Sequence, residues 1–559
     1  MSLPRLLARA ARPTLVLLDP LLAPVAENES VQTLRLDEPV PADFAERRWG
    51  CVVVAVPDRA ALRRATDMPA RVGRSRAVVA FVASSTSPIV PEIRPEWPEV
   101  VEVDAHLTPG GAAVSRVRFQ TAASAHEVLG QLGRDAGSRG VVGHGGLVVD
   151  GDAGPESQVP PDILIGSRRG LGTLDPRKER HPVTGRAPVL VADRAAFPVP
   201  VDEGVFRPAG FRRAWTRDVV GLPPGPATEV SVAGLRDAQG VWAGPSATAY
   251  DVAALALAGV PLTGSAPRGL DPDLAALVED PVDLDDPLRR EEHSVRLRRA
   301  AAAGHSTLAW RSRLAEREGV RVAGLPSVSI LLATRRPEQL TFALTQVAKQ
   351  AAHGIELVLA THGFEADAAR VREHLGDRPS VLLPVAAETR FGDVLDAAAR
   401  AASGDLVLKM DDDDWYGPDV VSDLRWARRT SGAELVGMAA EFVYLEPLGL
   451  TVRRRTSVEA PARVVAGGTM LLDRGYLRAL GGFRSVTRFV DAQLLAAVRR
   501  AGGGVHRTQG LGYVLRRGAT GHTWSPDLGY FLSRRSVVAQ WRGFRPSALL
   551  SYDDSELPS

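Results

Sequence analysis

Between residues 326 and 410, short apolar runs and helix-patterned stretches alternate so regularly that few architectures can accommodate them. PSVSILLATRR gives an apolar strand that ends in a polar turn at Thr334 to Pro337, and EQLTFALTQVAKQ gives an amphipathic helix. IELVLATHGF supplies a second strand, SVLLPV a third, FGDVLDAAARAASG a helix and DLVLKM a fourth strand. Strands that are apolar throughout are buried on both faces, and strands separated by helical crossovers pair in parallel. The stretch therefore predicts a doubly wound βαβαβαβ unit. In such sheets a ligand lies beyond the carboxyl ends of the strands. The fourth strand ends in four consecutive aspartates, Asp411 to Asp414, and WYGPD then makes a turn.

Adjacent carboxylates raise one another's pKa, so a fold that keeps four together needs a counter-charge. If residues 409 to 413 stay extended, Asp411 and Asp413 share one face and Asp412 points to the other. Mg²⁺ or Mn²⁺ suits such a pair of oxygen ligands, with a substrate diphosphate completing the shell. Other acidic motifs fit less well. An EF-hand calcium loop needs glycine where Tyr416 stands, and an aspartyl-phosphate phosphatase wants Thr or Val in place of Trp415.

The rest of the chain reads as further α/β layers. In residues 1–150 the runs TLVLLD, CVVVAVP, AVVAFVAS and VVEVDA alternate with helical or polar segments, which predicts a Rossmann-like domain. No GxGxxG follows a strand there, and VVGHGGLVVDGDAG at 141–154 reads as a turn-rich boundary. A second α/β unit with a helical linker is expected over 151–320, with DILIGS and PVLVADR as strands and AYDVAALALAG as a helix ending at Gly259. The Arg-rich stretch at 288–319 predicts two linker helices with Gly304 as the weak point and a solvated charged face, from which some arginines could bridge to a neighbouring domain. The α/β unit with the aspartates is expected over 325–525, and 526–559 is expected to be a tail packed on it.

Composition narrows the function classes. The chain has 559 residues, 45% of them hydrophobic and 24% charged, as in ordinary globular proteins. Its net charge of +2 is a small difference between interspersed sets, so nucleic acid is not an expected partner. Cys51 is the single cysteine and is expected to be a core residue of a protein in a reducing compartment. No window approaches the ~18 uninterrupted apolar residues of a membrane span, and TLVLLDPLLAPV reads as a first strand rather than a signal peptide. A cytoplasmic location is the expectation, with peripheral membrane contact through the aromatic residues of 525–546 left open.

VSILLATRRPEQL, DLVLKMDDDDWYGPD and GGTMLLDRGYLRALGGF, in that order, closely resemble family 2 glycosyltransferases of the GT-A fold over roughly residues 326 to 525. More weakly, GPSATAYDVAALALAGVPLTG resembles the sugar-nucleotide-binding half of GT-B glycosyltransferases, in which a helix N-terminus holds the diphosphate and Asp251 is the nearest acidic residue. An Ala-rich packing helix with a glycine C-cap is the alternative.

The GT-A resemblance implies transfer of a sugar from a nucleotide-sugar donor to a hydroxyl acceptor, with inversion, such as a glycan or lipid-linked glycan in bacterial envelope or polysaccharide synthesis. It implies Asp411 and Asp413 as ligands of the metal-diphosphate, with Asp412 and Asp414 as further candidates for the nucleotide sugar. Asp491 in RFVDAQLLAAVRRAGG would be the catalytic base, unless it is only a helix N-cap. His522 in GATGHTWSP would reach the metal or diphosphate, unless it packs on Trp524. Thr334 and Arg335 would contact the nucleoside, and Gly467 and Gly468 would let backbone approach the sugar or acceptor. The sequence departs from the family where an acidic pair usually reads the base, because Thr361 and His362 stand there. That departure keeps two rivals in view: a non-catalytic sugar- or nucleotide-binding scaffold, and a nucleotidyltransferase.

Overall fold

The computed structural model describes every residue outside 1–2, 9, 39, 66–71, 86–88, 90–97, 99, 137–146, 150–162, 166–188, 192–199, 210–212, 224, 318–324, 519–527, 554–555 and 558–559. The fold is mixed α/β, as expected. Two compact units divide it: Met1–Pro198 with Arg311–Leu325, and Val199–Trp310 with Pro326–Ser559.

In the first unit the main sheet runs, in spatial order, Val31–Arg35, Thr14–Leu18, Cys51–Val56, Arg74–Val82, Ala113–Ser124 and Val100–Leu107. The first four are parallel and the last two antiparallel. Thr14–Leu18 and Cys51–Val56 are buried along their whole length, because apolar residues fill both of their faces. Burial also pushes the Cys51 thiol up to about 12, in keeping with a core role. The strands expected in DILIGS and PVLVADR form at Ile163–Ile165 and Val189–Val191, and the first pairs in parallel with both the second and Leu147–Val149.

The second unit holds the expected doubly wound sheet. Ser380–Val385, Ile355–His362, Val328–Thr334 and Leu406–Met410 lie side by side in that order, all parallel. Residues of Val328–Thr334 alternate between two hydrophobic cores, one on each face of the sheet, which is why the strand tolerates no polar side. After the first strand the chain winds outward to the second and third, then returns to place the fourth beside the first. The direction of winding reverses between Thr334 and Met410, and a ligand crevice forms at such a switch. Antiparallel Met470–Asp473, then Leu435–Met438, Val505–Thr508 and Ala460–Pro461 extend the sheet. A second sheet contains Trp415–Tyr416, Tyr513–Arg517, Phe442–Leu445, Leu450–Arg454 and Val537–Arg542. The expected tail thus contributes an edge strand.

Residues from the expected linker and second domain belong to this same unit. A small parallel sheet of Val220–Gly221, Val241–Ala243 and Leu262–Gly264 packs with helix Ala249–Leu257. The Asp251 carboxylate is used up locally: it accepts from Ala227 N at 2.7 Å and from the Thr248 hydroxyl at 2.5 Å in a capping box. Gly259 follows with φ 77°, the glycine C-cap named in the packing-helix alternative. Helix Pro287–His305 ends one residue past Gly304, and a second helix, Thr307–Arg317, follows. The charged face expected to be solvated is not: Arg290, Glu291, Glu292, His293 and Arg298 are all buried. Each charge has found a partner on another element, which the linear pattern does not encode. Arg298 reaches Glu459 at 2.8 Å, Arg299 reaches Asp423 and Asp419, both at 2.7 Å, and Glu291 meets Arg453 at 2.6 Å.

Glu459 gives this interior a pH signature. Burial favours its neutral form, but Arg298 and His506 more than offset that and hold the carboxyl down at about 2, below its ordinary 4.5. A depressed carboxyl contributes stability above its unfolded value, and the contribution is lost as pH falls through the folded one. Glu459→Gln is expected to destabilise the unit by about 3–5 kcal/mol at neutral pH, because Arg298 is left buried without its partner. Urea unfolding should show that difference shrinking as pH falls from 4.5 toward 2. A difference that stays constant across that window would mean that the ion pair does not carry it.

Candidate functional site

At the reversal point the strand ends at Met410, so the aspartates occupy a bend and not the extended run expected for residues 409 to 413. Alternation of faces stops there, and the expected pairing of Asp411 with Asp413 gives way to a different one. Asp412 turns toward the end of the first strand, where its Oδ2 accepts from the Thr334 hydroxyl at 2.5 Å and from Arg336 Nε at 3.2 Å. A second nitrogen of Arg336 donates to Asp412 Oδ1 and lies 2.9 Å from Asp413 Oδ2. Arg336, not Arg335, is therefore the arginine that reaches the acidic run. Asp412 and Asp413 share one guanidinium.

Asp411 pairs with Asp491 instead, through Lys409. This lysine sits on the fourth strand with 3% of its side chain exposed, and its ammonium lies 2.5 Å from Asp411 Oδ1, 3.2 Å from Asp491 Oδ1 and 3.2 Å from the Gly467 carbonyl. Burial opposes its charge, but the two aspartates reverse that and raise its pKa. Asp411 itself is pushed up to about 6, chiefly by burial, with Asp491 and Asp413 adding to the effect and Lys409 working against it.

Asp491 lies in the first turn of helix Val490–Arg500. The N-cap is Phe489, held in the left-handed region at φ 61°, so the N-cap alternative for Asp491 does not apply. Oδ1 of Asp491 is buried, while 38% of the side chain remains exposed. Asp414 is the most enclosed of the four: it accepts from the Tyr513 hydroxyl at 2.5 Å and from Arg516 N at 2.8 Å, and burial drives its pKa well above the ordinary carboxylate range. The Tyr416 hydroxyl accepts from Asp411 N at 2.9 Å and donates to the Gly468 carbonyl at 3.0 Å.

A cavity of about 980 Å³ opens over this arrangement, lined by Thr334, Arg335, His362, Asp411 to Asp414, Gly467 and Asp491 among others. Thr361 is buried in its strand and does not line the cavity, while His362 does and shares a 3.0 Å hydrogen bond with the Ala387 carbonyl. His522 and Trp524 lie outside the described residues. The room left by the glycine pair is taken by the protein's own groups. A methyl at Gly467 would overlap the Asp491 carboxylate, and one at Gly468 would overlap the Tyr416 hydroxyl and crowd Asp411 and Asp414. Lys409 and Arg336 were not singled out from sequence; a lysine interrupting LVLKM, in a chain with only three lysines, is the signal that marks the first. Among the described residues no helix is long and apolar enough to cross a membrane.

No protein-family model matches the sequence, and no curated protein does. Among solved structures, the chain is similar to S. aureus TarS 1–349 in complex with UDP-GlcNAc, at 13% identity and a TM-score of 0.30, covering 36% of this chain and 62% of that one. It is also similar to the mannosyltransferase PcManGT from Pyrobaculum calidifontis in complex with GDP-Man and Mn²⁺, at 16% identity and a TM-score of 0.29, covering 40% and 64%. The chain thus spans under two thirds of the length of either structure. Likeness at this level decides neither fold nor function.

The two glycines should differ in cost. At Gly468 a methyl would meet the fully buried Tyr416, whereas at Gly467 it would meet the outer oxygen of Asp491, a side chain that is 38% exposed. Gly468→Ala is expected to destabilise by about 1–3 kcal/mol and Gly467→Ala by less than about 1 kcal/mol. Denaturant titration of both variants checks this, and the reverse ranking would contradict the packing described.

Proposed function

We propose that the chain is a nucleotide-sugar-dependent glycosyltransferase of the GT-A type, which moves a sugar from a nucleoside diphosphate onto a hydroxyl group with inversion. The observation that carries this reading is the placement of Asp491. A partly exposed carboxylate faces an acidic run at the reversal point of a doubly wound sheet, and one buried lysine holds both.

Asp411 and Asp413 both line the cavity, and among the described residues no third His, Cys, Asp or Glu joins them in a metal-binding cluster. Although Asp411 and Asp413 are held by different cations, Lys409 and Arg336, both line the cavity, and two carboxylates plus substrate phosphates are a donor set that Mg²⁺ or Mn²⁺ commonly accepts, so the residues are compatible with such an ion. When bound, it would supply positive charge against the departing diphosphate. Arg335 and His362 line the same cavity, and in this reading they would contact the nucleoside. Asp491 would take the acceptor's proton. Its Oδ1 is buried against Lys409, so the exposed part of the carboxylate is the part that meets the incoming hydroxyl. The nearby lysine holds the carboxylate in place.

Calorimetric binding of UDP and GDP with Mn²⁺, with Mg²⁺ and with chelator tests the donor half. The expected result is ion-dependent binding that Asp413→Asn weakens more than Asp412→Asn, because both oxygens of Asp412 are committed to Thr334 and Arg336. Binding indifferent to chelator would remove the ion from the reading.

Released nucleoside diphosphate measures turnover. Asp491→Asn should fold and bind nucleotide as the parent does, yet turn over at least about a hundred-fold more slowly, since losing a positioned base costs on the order of 10² to 10⁴. Unchanged turnover per folded molecule would leave Asp491 without a catalytic part.

A further inference from the structure

Arginines crowd the cavity beyond what composition explains. They are 10 of its 39 lining residues, whereas the whole chain has 65 in 559, more than a twofold enrichment. Arg336 and Arg516 are committed to carboxylates, those of Asp412, Asp413 and Glu446. Arg454, Arg455, Arg463 and Arg507 also line the cavity, and among the described residues they form no ion pair with a carboxylate.

These four belong to one face. Arg507 donates to the Ser457 carbonyl at 2.7 Å, the Ser457 hydroxyl at 2.6 Å and the Val464 carbonyl at 3.0 Å, so it fastens both ends of the loop that carries Arg463, with Arg455 just before it. Arg454 ends its strand with its guanidinium 4.8 Å from the Tyr530 ring centre and 5.5 Å from that of Phe531, and its Nε is buried without a hydrogen-bond partner.

The register sets the strand of Arg454 apart from the strand that holds Asp414. Arg453 stands opposite Phe442, which stands opposite Val514, so Arg454 lies two strands away from Tyr513, whose hydroxyl holds Asp414. Two strand spacings are roughly 10 Å. An anion held at Arg454 would therefore start from a different strand than a diphosphate at the aspartates, and Arg455, Arg463 and Arg507 line the same cavity. Exposed aromatic rings border the same space, Phe489 at 63% and Tyr530 at 50% exposure, and flat rings of this kind suit the apolar faces of sugars.

We infer that this arginine face binds the acceptor, and that the acceptor is an acidic glycan: a chain of sugar or polyol units bearing phosphate or carboxylate oxyanions. This rests on the glycosyltransferase reading. The guanidinium groups hold the oxyanions in forked hydrogen bonds, which directs a neighbouring hydroxyl toward Asp491.

The test uses the full chain at physiological salt and three probes: a glycerol-phosphate hexamer, a galacturonate hexamer and neutral maltohexaose. Calorimetry is run with and without UDP or GDP and Mn²⁺. At least one acidic oligomer should bind on the order of tenfold more tightly than maltohexaose, and which one binds identifies phosphate or carboxylate as the oxyanion. Arg455 and Arg463 are exposed, so Arg455→Ala with Arg463→Ala should fold normally, lose on the order of tenfold in acidic-oligomer affinity and keep its nucleotide affinity. The corresponding lysine pair should recover part of the loss. Equal binding of the neutral probe, failure of both acidic probes, or no effect of the double variant would overturn the inference. A parallel loss of nucleotide affinity would also overturn it, by assigning these arginines to the donor. Acidic-oligomer binding without any nucleotide binding would instead count against the glycosyltransferase reading alone.

Discussion

A buried ammonium between two carboxylates is the contact on which the rest of the site depends. Lys409 stands 2.5 Å from Asp411 and 3.2 Å from Asp491, on a strand whose neighbours on both sides are apolar. Taking a lysine out of water is costly, and a lone one would lose its proton. Here two aspartates raise its pKa against the effect of burial, so the charge is retained. The contact also joins parts of the chain distant in sequence: the end of the fourth strand, the first turn of helix Val490–Arg500 and, through the Gly467 carbonyl, the entry to strand Met470–Asp473. Gly467 makes the approach possible by leaving space for the Asp491 carboxylate.

Four adjacent aspartates are tolerable because they do not compete for one counter-charge. Asp411 leans on Lys409, Asp412 and Asp413 on Arg336, and Asp414 on a tyrosine hydroxyl and a backbone N–H. Residual repulsion remains. Burial together with Asp491 and Asp413 pushes Asp411 up to about 6, and burial, with Asp413 and Asp411 contributing, also drives Asp414 well above the ordinary carboxylate range. A site whose carboxylates are already oriented, yet still repel one another, is prepared to gain from any further cation without reorganising its side chains.

The doubly wound sheet was legible in the sequence because its strands are apolar on both faces and its helices are amphipathic, both of which are local patterns. The acidic run was legible as a site for the same reason: it falls at the carboxyl end of a strand. What local pattern could not show was where the strand stops. Extending it through residue 413 paired Asp411 with Asp413, whereas a strand ending at Met410 lets Asp412 turn back to Thr334. Helix Pro287–His305 failed in a similar way. Its charges look like a solvated face until Glu459, Asp423 and Arg453, each more than a hundred positions away, supply their partners. Lys409 remained hidden because its contact with Asp491, too, is set by tertiary structure.

The two larger sheets of the second unit meet at the aspartates. Leu406–Met410 belongs to the eight-stranded sheet and Trp415–Tyr416 to the five-stranded one, so Asp411 to Asp414 form the corner between them. The first sheet contributes Thr334, and Arg336 follows it; the second contributes Tyr513 and Arg516, and each set holds a different aspartate. A buried ionic network then fixes the far side of the second sheet. Arg453 bonds both Glu441 at 2.7 Å and Glu291 at 2.6 Å, and burial with the Glu441 charge nearby pushes Glu291 up to about 7. Because Arg453 is locked from below by helix Pro287–His305, the next residue, Arg454, is held at the cavity. The charges buried in that helix thereby help to fix where Arg454 meets the cavity that the aspartate corner also lines.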